Sequence, residues 1–92
     1  MNAGQETPYQ IALREHSPLP NRSNVRFHYP LYDREGKMLG LGVQSSGEII
    51  GHRAVYENNV FQNWVYFIVP ISMNQNGHIL YTTEIPQGNI VI

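Results

Sequence analysis

Apolar and polar residues alternate along much of this chain with the period of a strand rather than a helix. Val25, Phe27, Tyr29 and Leu31 fall on one side of their segment, and Arg26, His28 and Pro30 on the other, as in a half-buried β-strand. Pro30 has no N–H for a ladder, so this strand is expected to end there or to lie at an edge. The charged run Asp33-Arg34-Glu35-Gly36-Lys37 follows and reads as a turn, with Gly36 available for a positive φ. Leu39, Leu41 and Val43 then alternate with Gly40, Gly42 and Gln44; glycines along one face predict a bulge, a bend or a close backbone approach. Ser45-Ser46-Gly47 reads as a further turn, and 48–56 as a strand bent at Gly51. Trp64-Val65-Tyr66-Phe67-Ile68-Val69 is apolar at every position, so both its faces need cover, which predicts the central strand of a sheet. Pro70 interrupts that ladder, and Asn76-Gly77 is the strongest hairpin signal in the chain. A two-residue turn there sets Met73 opposite Leu80, Ile71 opposite Thr82 and Ile68 opposite Ile85; a longer loop shifts that register. Pro86-Gln87-Gly88 makes a tight turn before a short last strand at 89–92.

The first 23 residues break this pattern. Pro8, Pro18 and Pro20 punctuate them, so 1–23 is expected to be an arm preceding a domain at 24–92. Within it, Thr7 can cap a helix with Pro8 at its first position, placing Tyr9, Ala12 and Leu13 on one face. Tyr9, Ile11 and Leu13 also alternate as a strand would, so helix and strand both fit residues 8–16, and Ser17-Pro18 ends either one.

Composition supports the strand reading. Of 92 residues, Ile and Val supply 16 while Ala supplies three, and Asn, Gly and Pro together supply 23. Branched side chains suit a pleated surface and the others suit turns, so short strands with frequent turns, an all-β chain, are expected. The chain has no Cys, which removes disulfides, thiolate metal sites and thiol nucleophiles. Its net charge of −1 gives no general attraction to nucleic acid or anionic lipid. The opening residues lack the basic-then-apolar form of an export signal, so the expected compartment is the cytoplasm.

The order of elements resembles the Src-homology-3-like small β-barrel, of the bacterial type, over 24–92. Tyr29-Pro30-Leu31-Tyr32-Asp33 is similar to the Ala-Leu-Tyr-Asp-Tyr opening of its signalling members. Gly47-Glu48-Ile49-Ile50-Gly51 and the later run Trp64-Val65-Tyr66-Phe67-Ile68-Val69 resemble the strand pair of many bacterial members. Ile85-Pro86-Gln87-Gly88-Asn89-Ile90 looks like the turn before the family's last strand. The resemblance implies a five- or six-stranded barrel and a peptide-binding groove along Tyr29, Tyr32, Trp64 and Pro86, with the loop from Asp33 selecting by charge. The chain departs from the signalling members in lacking their acidic cluster after Asp33, their second adjacent Trp and their terminal Tyr, so the likeness speaks for architecture more than for ligand.

Candidate chemistry is sparse. His16, His28, His52 and His78 lie on separate segments without metal-type spacing. A site gathering His28, His52 and Glu48 in space is conceivable, but histidines beside turns are the plainer account, and neither catalysis, a metal nor a cofactor is expected. Arg26, Arg34 and Lys37 interleave with Phe27, Tyr29 and Tyr32, the layout of a base-stacking nucleic-acid surface, yet few charges are on offer to phosphate. Protein binding fits better. Ten aromatics, a stretch from 58 to 83 with no charged residue, and a charged fraction of 14% leave the surface open to association. The expected function is a non-catalytic protein-binding module or accessory subunit, docking a proline-containing or apolar segment or a second copy of itself, with nucleic-acid binding as the alternative. Trp64 fits core and groove equally, its indole N–H reaching the rim in the first case.

Overall fold

The computed structural model describes residues 5–71 and 82–91. It contains helix α1 (Pro8–Glu15) and strands β1 (Asn24–Tyr32), β2 (Met38–Glu57), β3 (Val60–Pro70), β4 (Thr83–Pro86) and β5 (Ile90–Val91), with a 3₁₀ turn at Gln87–Asn89. All five strands belong to one antiparallel sheet in the order β4-β3-β2-β1-β5. The described residues are therefore mostly β, with α1 a short helix.

Chain connectivity forces that sheet to roll. Its two edges, β4 and β5, are consecutive in sequence and joined only by the 3₁₀ turn. Four inter-strand spacings of about 4.8 Å would hold the edges of a flat sheet ~19 Å apart. The chain from Pro86 to Ile90 spans at most about 14 Å when fully extended. Consistently, β1 touches β4 although two strands lie between them. The buried Asn89 donates from Nδ2 to the His28 carbonyl at 2.9 Å, which ties the 3₁₀ turn to β1. Among the described residues no ladder joins β4 to β5, so the sheet is rolled but open.

The roll is possible because β2 bends. Twenty residues at about 3.3 Å each would run ~63 Å straight, beyond the molecule's longest dimension of 48 Å. Ser45-Ser46-Gly47, expected to turn the chain, is instead continuous strand, and Gly47 pairs with both Val25 of β1 and Pro70 of β3. A Cβ there would collide with the Val69 carbonyl oxygen and lie 2.7 Å from Ile68 Cγ2. The glycine serves close approach, not a turn. At Gly51 the β2–β3 register slips, and the Phe67 ring lies over the bare backbone, 3.3 Å from where a Cβ would stand. The β2–β3 hairpin closes on Asn58 and Asn59, with φ of 53° and 65°, the left-handed pair that a two-residue turn matching strand twist requires.

Residues 64–69 lie on β3, between β2 and β4 over 65–68, and five of the six are buried. Trp64, Tyr66 and Ile68 join Phe27, Ile49, Ile85 and Ile90 in one core. On the opposite face, Arg53 and Glu84 form an ion pair at 2.9 Å. Arg53 lies across from Val65 and Glu84 across from Phe67, so the pair bridges over β3. Both partners are half exposed, and such pairs contribute ~1 kcal/mol or less. The β3–β4 register sets Tyr66 opposite Ile85 and Ile68 opposite Thr83, two residues from the expected Ile68–Ile85 pairing. An even slip keeps every side chain on its own face, so the core is unaffected. The Asn76-Gly77 turn and the Met73–Leu80 pairing lie outside the described residues.

The helix reading of 8–16 is the observed one. Gln10 N–H donates to Thr7 Oγ1 at 3.1 Å and Thr7 N–H donates to Gln10 Oε1 at 2.8 Å, a reciprocal capping box with Pro8 in the first turn. The described part of the 1–23 segment is fastened to the sheet. Ala12 is in the core, Trp64 Nε1 donates to the His16 carbonyl at 2.7 Å, and Leu19 N–H donates to Tyr66 Oη at 3.0 Å. Arg22 and Ser23 bond the backbone of Ile49 through both its carbonyl and its N–H. Ahead of the helix, Arg14 donates to both Glu6 oxygens, at 2.8 and 3.1 Å. That hydrogen bonding holds the Glu6 carboxyl below its ordinary pKa and raises that of Arg14. With a lowered folded pKa, the contribution of Glu6 is fully present above its ordinary value and lost as pH falls through the lowered one. The melting temperatures of wild type and Glu6→Gln are accordingly expected to differ slightly at neutral pH and to converge in acid.

Candidate functional site

Beyond the rolled part of the sheet, β1 and β2 continue as a two-stranded hairpin. Its turn is organised by Asp33, whose Oδ1 accepts from the N–H groups of Glu35 (2.9 Å) and Lys37 (2.8 Å). The Asp33 N–H donates to the Lys37 carbonyl at 2.9 Å, and Gly36 sits at φ 85°. One oxygen of this carboxylate is thus committed to the turn. Asp33→Ala is expected to cost about 1 kcal/mol in a urea melt, mainly by loosening this turn. Two register slips, at 28–30 and 31–32, put bulges in the hairpin. Leu31 leans across the glycine face, its Cδ2 3.2 Å from where a Gly42 Cβ would stand, which explains the glycine that alternates with the leucines.

What the hairpin shows to solvent is apolar. Leu31, Tyr32, Met38, Leu39, Leu41 and Val43 are between 40% and 74% exposed, six large side chains on one short element. Leu31 pairs with Gly40 and Leu41 with Pro30, so the six are shared between the two faces of the hairpin; single exposed apolar residues are ordinary, whereas so many on one short element mark contact with something else. The backbone edges are open as well. β1 pairs with β5 only at Arg26 and Phe27, and β2 pairs with β3 only from Gly47 onward. Residues 38–46 of β2 therefore have one neighbouring strand among the described residues. Among the described residues, Pro30 lies on a part of β1 that has only β2 beside it, the edge position its missing N–H requires.

The residues expected to form a groove are not brought together. Trp64 is 1% exposed and belongs to the core, which resolves its two readings and removes it from any docking face. Its ring meets Phe61 at 5.0 Å, His52 at 4.9 Å and Tyr9 at 6.1 Å, all edge-on. Tyr29 is half-buried against Phe27, with centroids 5.1 Å apart. Pro86 is half-buried opposite Val65. Only Tyr32 stands in the open. For nucleic acid, Arg26, Arg34 and Lys37 are exposed, but Phe27 is fully buried and stacking surface is reduced to Tyr32. The tip of the hairpin also balances Arg34 and Lys37 with Asp33 and Glu35.

His28, His52 and His16 are engaged separately, and His78 lies outside the described residues. His28 Nδ1 donates to the Gly42 carbonyl at 3.0 Å, while His52 Nε2 meets Tyr9 Oη at 2.9 Å, and His16 stacks on Phe61 at 4.4 Å. Among the described residues no three His, Asp or Glu side chains converge as a metal site, and no helix is long and apolar enough to cross a membrane. A groove of about 360 Å³ lies between α1 and the β2–β3 hairpin, lined by Ile11, His16, Tyr56, Val60 and Phe61 among others.

No protein-family model, curated protein or solved structure matches this chain. The residues that sequence reasoning passed over are those of the cluster around Trp64. Tyr9, His16, His52 and Phe61 are scattered over more than fifty positions, and no local spacing announces that they meet. Leu39, Leu41 and Val43 were visible as strand alternation, which predicts one buried face and so hides the fact that they face water.

Proposed function

We propose that this protein is a non-catalytic protein-binding module, an accessory subunit that docks through the β1–β2 hairpin. The observation that carries the reading is the set of six apolar side chains from Leu31 to Val43 standing in water beside a strand edge that is unpaired among the described residues. An extended apolar or proline-containing segment suits such a place, since main-chain bonds to the edge supply affinity and side-chain contacts supply selectivity. A protein partner is favoured over nucleic acid because the hairpin tip has no excess of positive charge and offers one exposed aromatic ring.

We further propose that the rolled sheet is a small barrel of the Src-homology-3-like kind. Support comes from the order β5-β1-β2-β3-β4, from the long bent β2 shared by both halves, and from the 3₁₀ turn that leads into a last strand beside β1. The docking surface departs from that likeness, because it uses the hairpin and not an aromatic groove.

Titration of apolar and proline-containing peptides into isotopically labelled protein tests the function. Amide shifts confined to 31–43 are expected, and they should vanish in Leu39→Lys/Val43→Lys. Shifts centred on α1 or on β4, with none in the hairpin, would overturn the assignment.

A further inference from the structure

We infer that the groove between α1 and the β2–β3 hairpin binds a small organic cation, an ammonium group carried on an apolar body. The groove shares no residue with the β1–β2 hairpin, so this site is separate from the proposed docking surface. Three observations favour a cation over a neutral or anionic molecule.

The first is the aromatic wall. Tyr56, Phe61 and His16 all line the groove, and the Tyr56 and Phe61 rings meet at 6.0 Å between centroids and 79° between planes. Rings set nearly at right angles make a corner, where a cation lies over one ring face while its apolar part packs on the other. The wall is held in place by the core. Phe61 stacks on His16 at 4.4 Å and meets Trp64 at 5.0 Å, and Trp64 Nε1 donates to the His16 carbonyl at 2.7 Å. Tyr56 is 39% exposed, which leaves part of its ring for a ligand.

The second is charge. Glu15 is the one acidic residue lining the groove, and no Lys or Arg lines it. Arg14 reaches Glu15 only at 3.9 Å, whereas it donates to both Glu6 oxygens at 2.8 and 3.1 Å. Two carboxylates thus share one guanidinium, and the end of the groove at Glu15 keeps a negative balance. The C-terminal end of α1 lies there too, since the helix ends at Glu15 with His16 as its cap. The carbonyl dipoles of that end add partial negative charge and favour a cation.

The third is size. The groove holds about 360 Å³, with the buried Ala12 among its lining residues. Small-molecule sites run from about 300 to 1,000 Å³, so this one suits a small ligand. Ile11 and Val60 give its apolar body aliphatic contacts.

Titration of isotopically labelled protein with benzyltrimethylammonium, benzyl alcohol and phenylacetate tests the inference, because the three carry one ring with positive, neutral and negative groups. Amide shifts at 11–16 and 56–61 are expected, with the cation bound about tenfold more tightly than the alcohol and phenylacetate weakest of the three. Glu15→Gln and Tyr56→Leu should each weaken the cation about two- to fivefold and leave the alcohol unchanged. Both variants should melt as wild type does, since Glu15 and Tyr56 stand largely in water. Equal affinity for the three probes, or a preference for phenylacetate, would overturn the inference. So would the absence of shifts at 11–16 and 56–61, or a cation preference that survives both substitutions.

Discussion

Replacing Trp64 by Ala should unfold the protein or bring it close to unfolding. The side chain is 1% exposed and packs edge-on against Phe61, His52 and Tyr9. Truncating a buried Trp to Ala costs about 3–5 kcal/mol, a large part of the roughly 5–14 kcal/mol available to a chain of this length. In a domain of this size, the melting temperature should fall by roughly 15–30 °C. The damage should reach the helix first. Tyr9 touches the Trp64 ring, and the ring's N–H holds the His16 carbonyl at the end of α1. Trp64→Phe keeps an aromatic filler and removes the donor, so about 1–3 kcal/mol is expected. Circular dichroism during a urea melt reads both. A Trp64→Ala protein that melts like wild type would mean that the ring is not in the core.

The second large effect is expected at Gly47, where the argument is steric. A methyl group there meets the Val69 carbonyl oxygen and Ile68 Cγ2, both on β3, and backbone cannot swing aside as a flexible side-chain tip would. Gly47→Ala should cost about 3 kcal/mol, at the upper end for overpacking. Gly40 supplies the control. Nothing lies within 4 Å of a Cβ at that position, so Gly40→Ala should stay within about 0.5 kcal/mol of wild type. Gly42→Ala falls between, because its Cβ would press on the Tyr29 carbonyl at 2.7 Å and on Leu31. The ranking 47, 42, 40 in denaturant midpoints is a stricter check than any single value. Equal effects at 47 and 40 would mean that β2 does not pass so close to β3.

The difference between Gly47 and the other glycines also shows what was legible in the chain. Strand alternation at 25–31 and the uninterrupted apolar run at 64–69 are local signals, and both became strands; the second has five of its six residues buried, while in the first only Phe27 is buried and Leu31 stands exposed. The irregularity at Gly51 was local too, and it appears as a slip in register. Ser45-Ser46-Gly47 misled because its composition is that of a turn, while the glycine's purpose lies across the sheet at Val69, more than twenty residues away. Asn58-Asn59 carried a readable turn signal that the louder Asn76-Gly77 overshadowed. Residues 8–16 fitted two periods; the Gln10 side chain, closing the box with Thr7, is the sequence feature that separates them. For the site, strand alternation could place Leu39, Leu41 and Val43 on one face but could not say which side of that face holds the core. The hairpin reaches past the roll, so among the described residues its apolar side chains have nothing packed over them.

Solvent paramagnetic relaxation, with a soluble gadolinium chelate added to methyl-labelled protein at a concentration where it is monomeric, tests the account most directly. Strong broadening of the Leu39, Leu41 and Val43 methyls is predicted, together with sharp signals from Ile49, Ile68 and Ile85. Sharp hairpin methyls, or core isoleucines broadened alongside them, would contradict a protein that hides its aromatic strand and meets its partner through the β1–β2 hairpin.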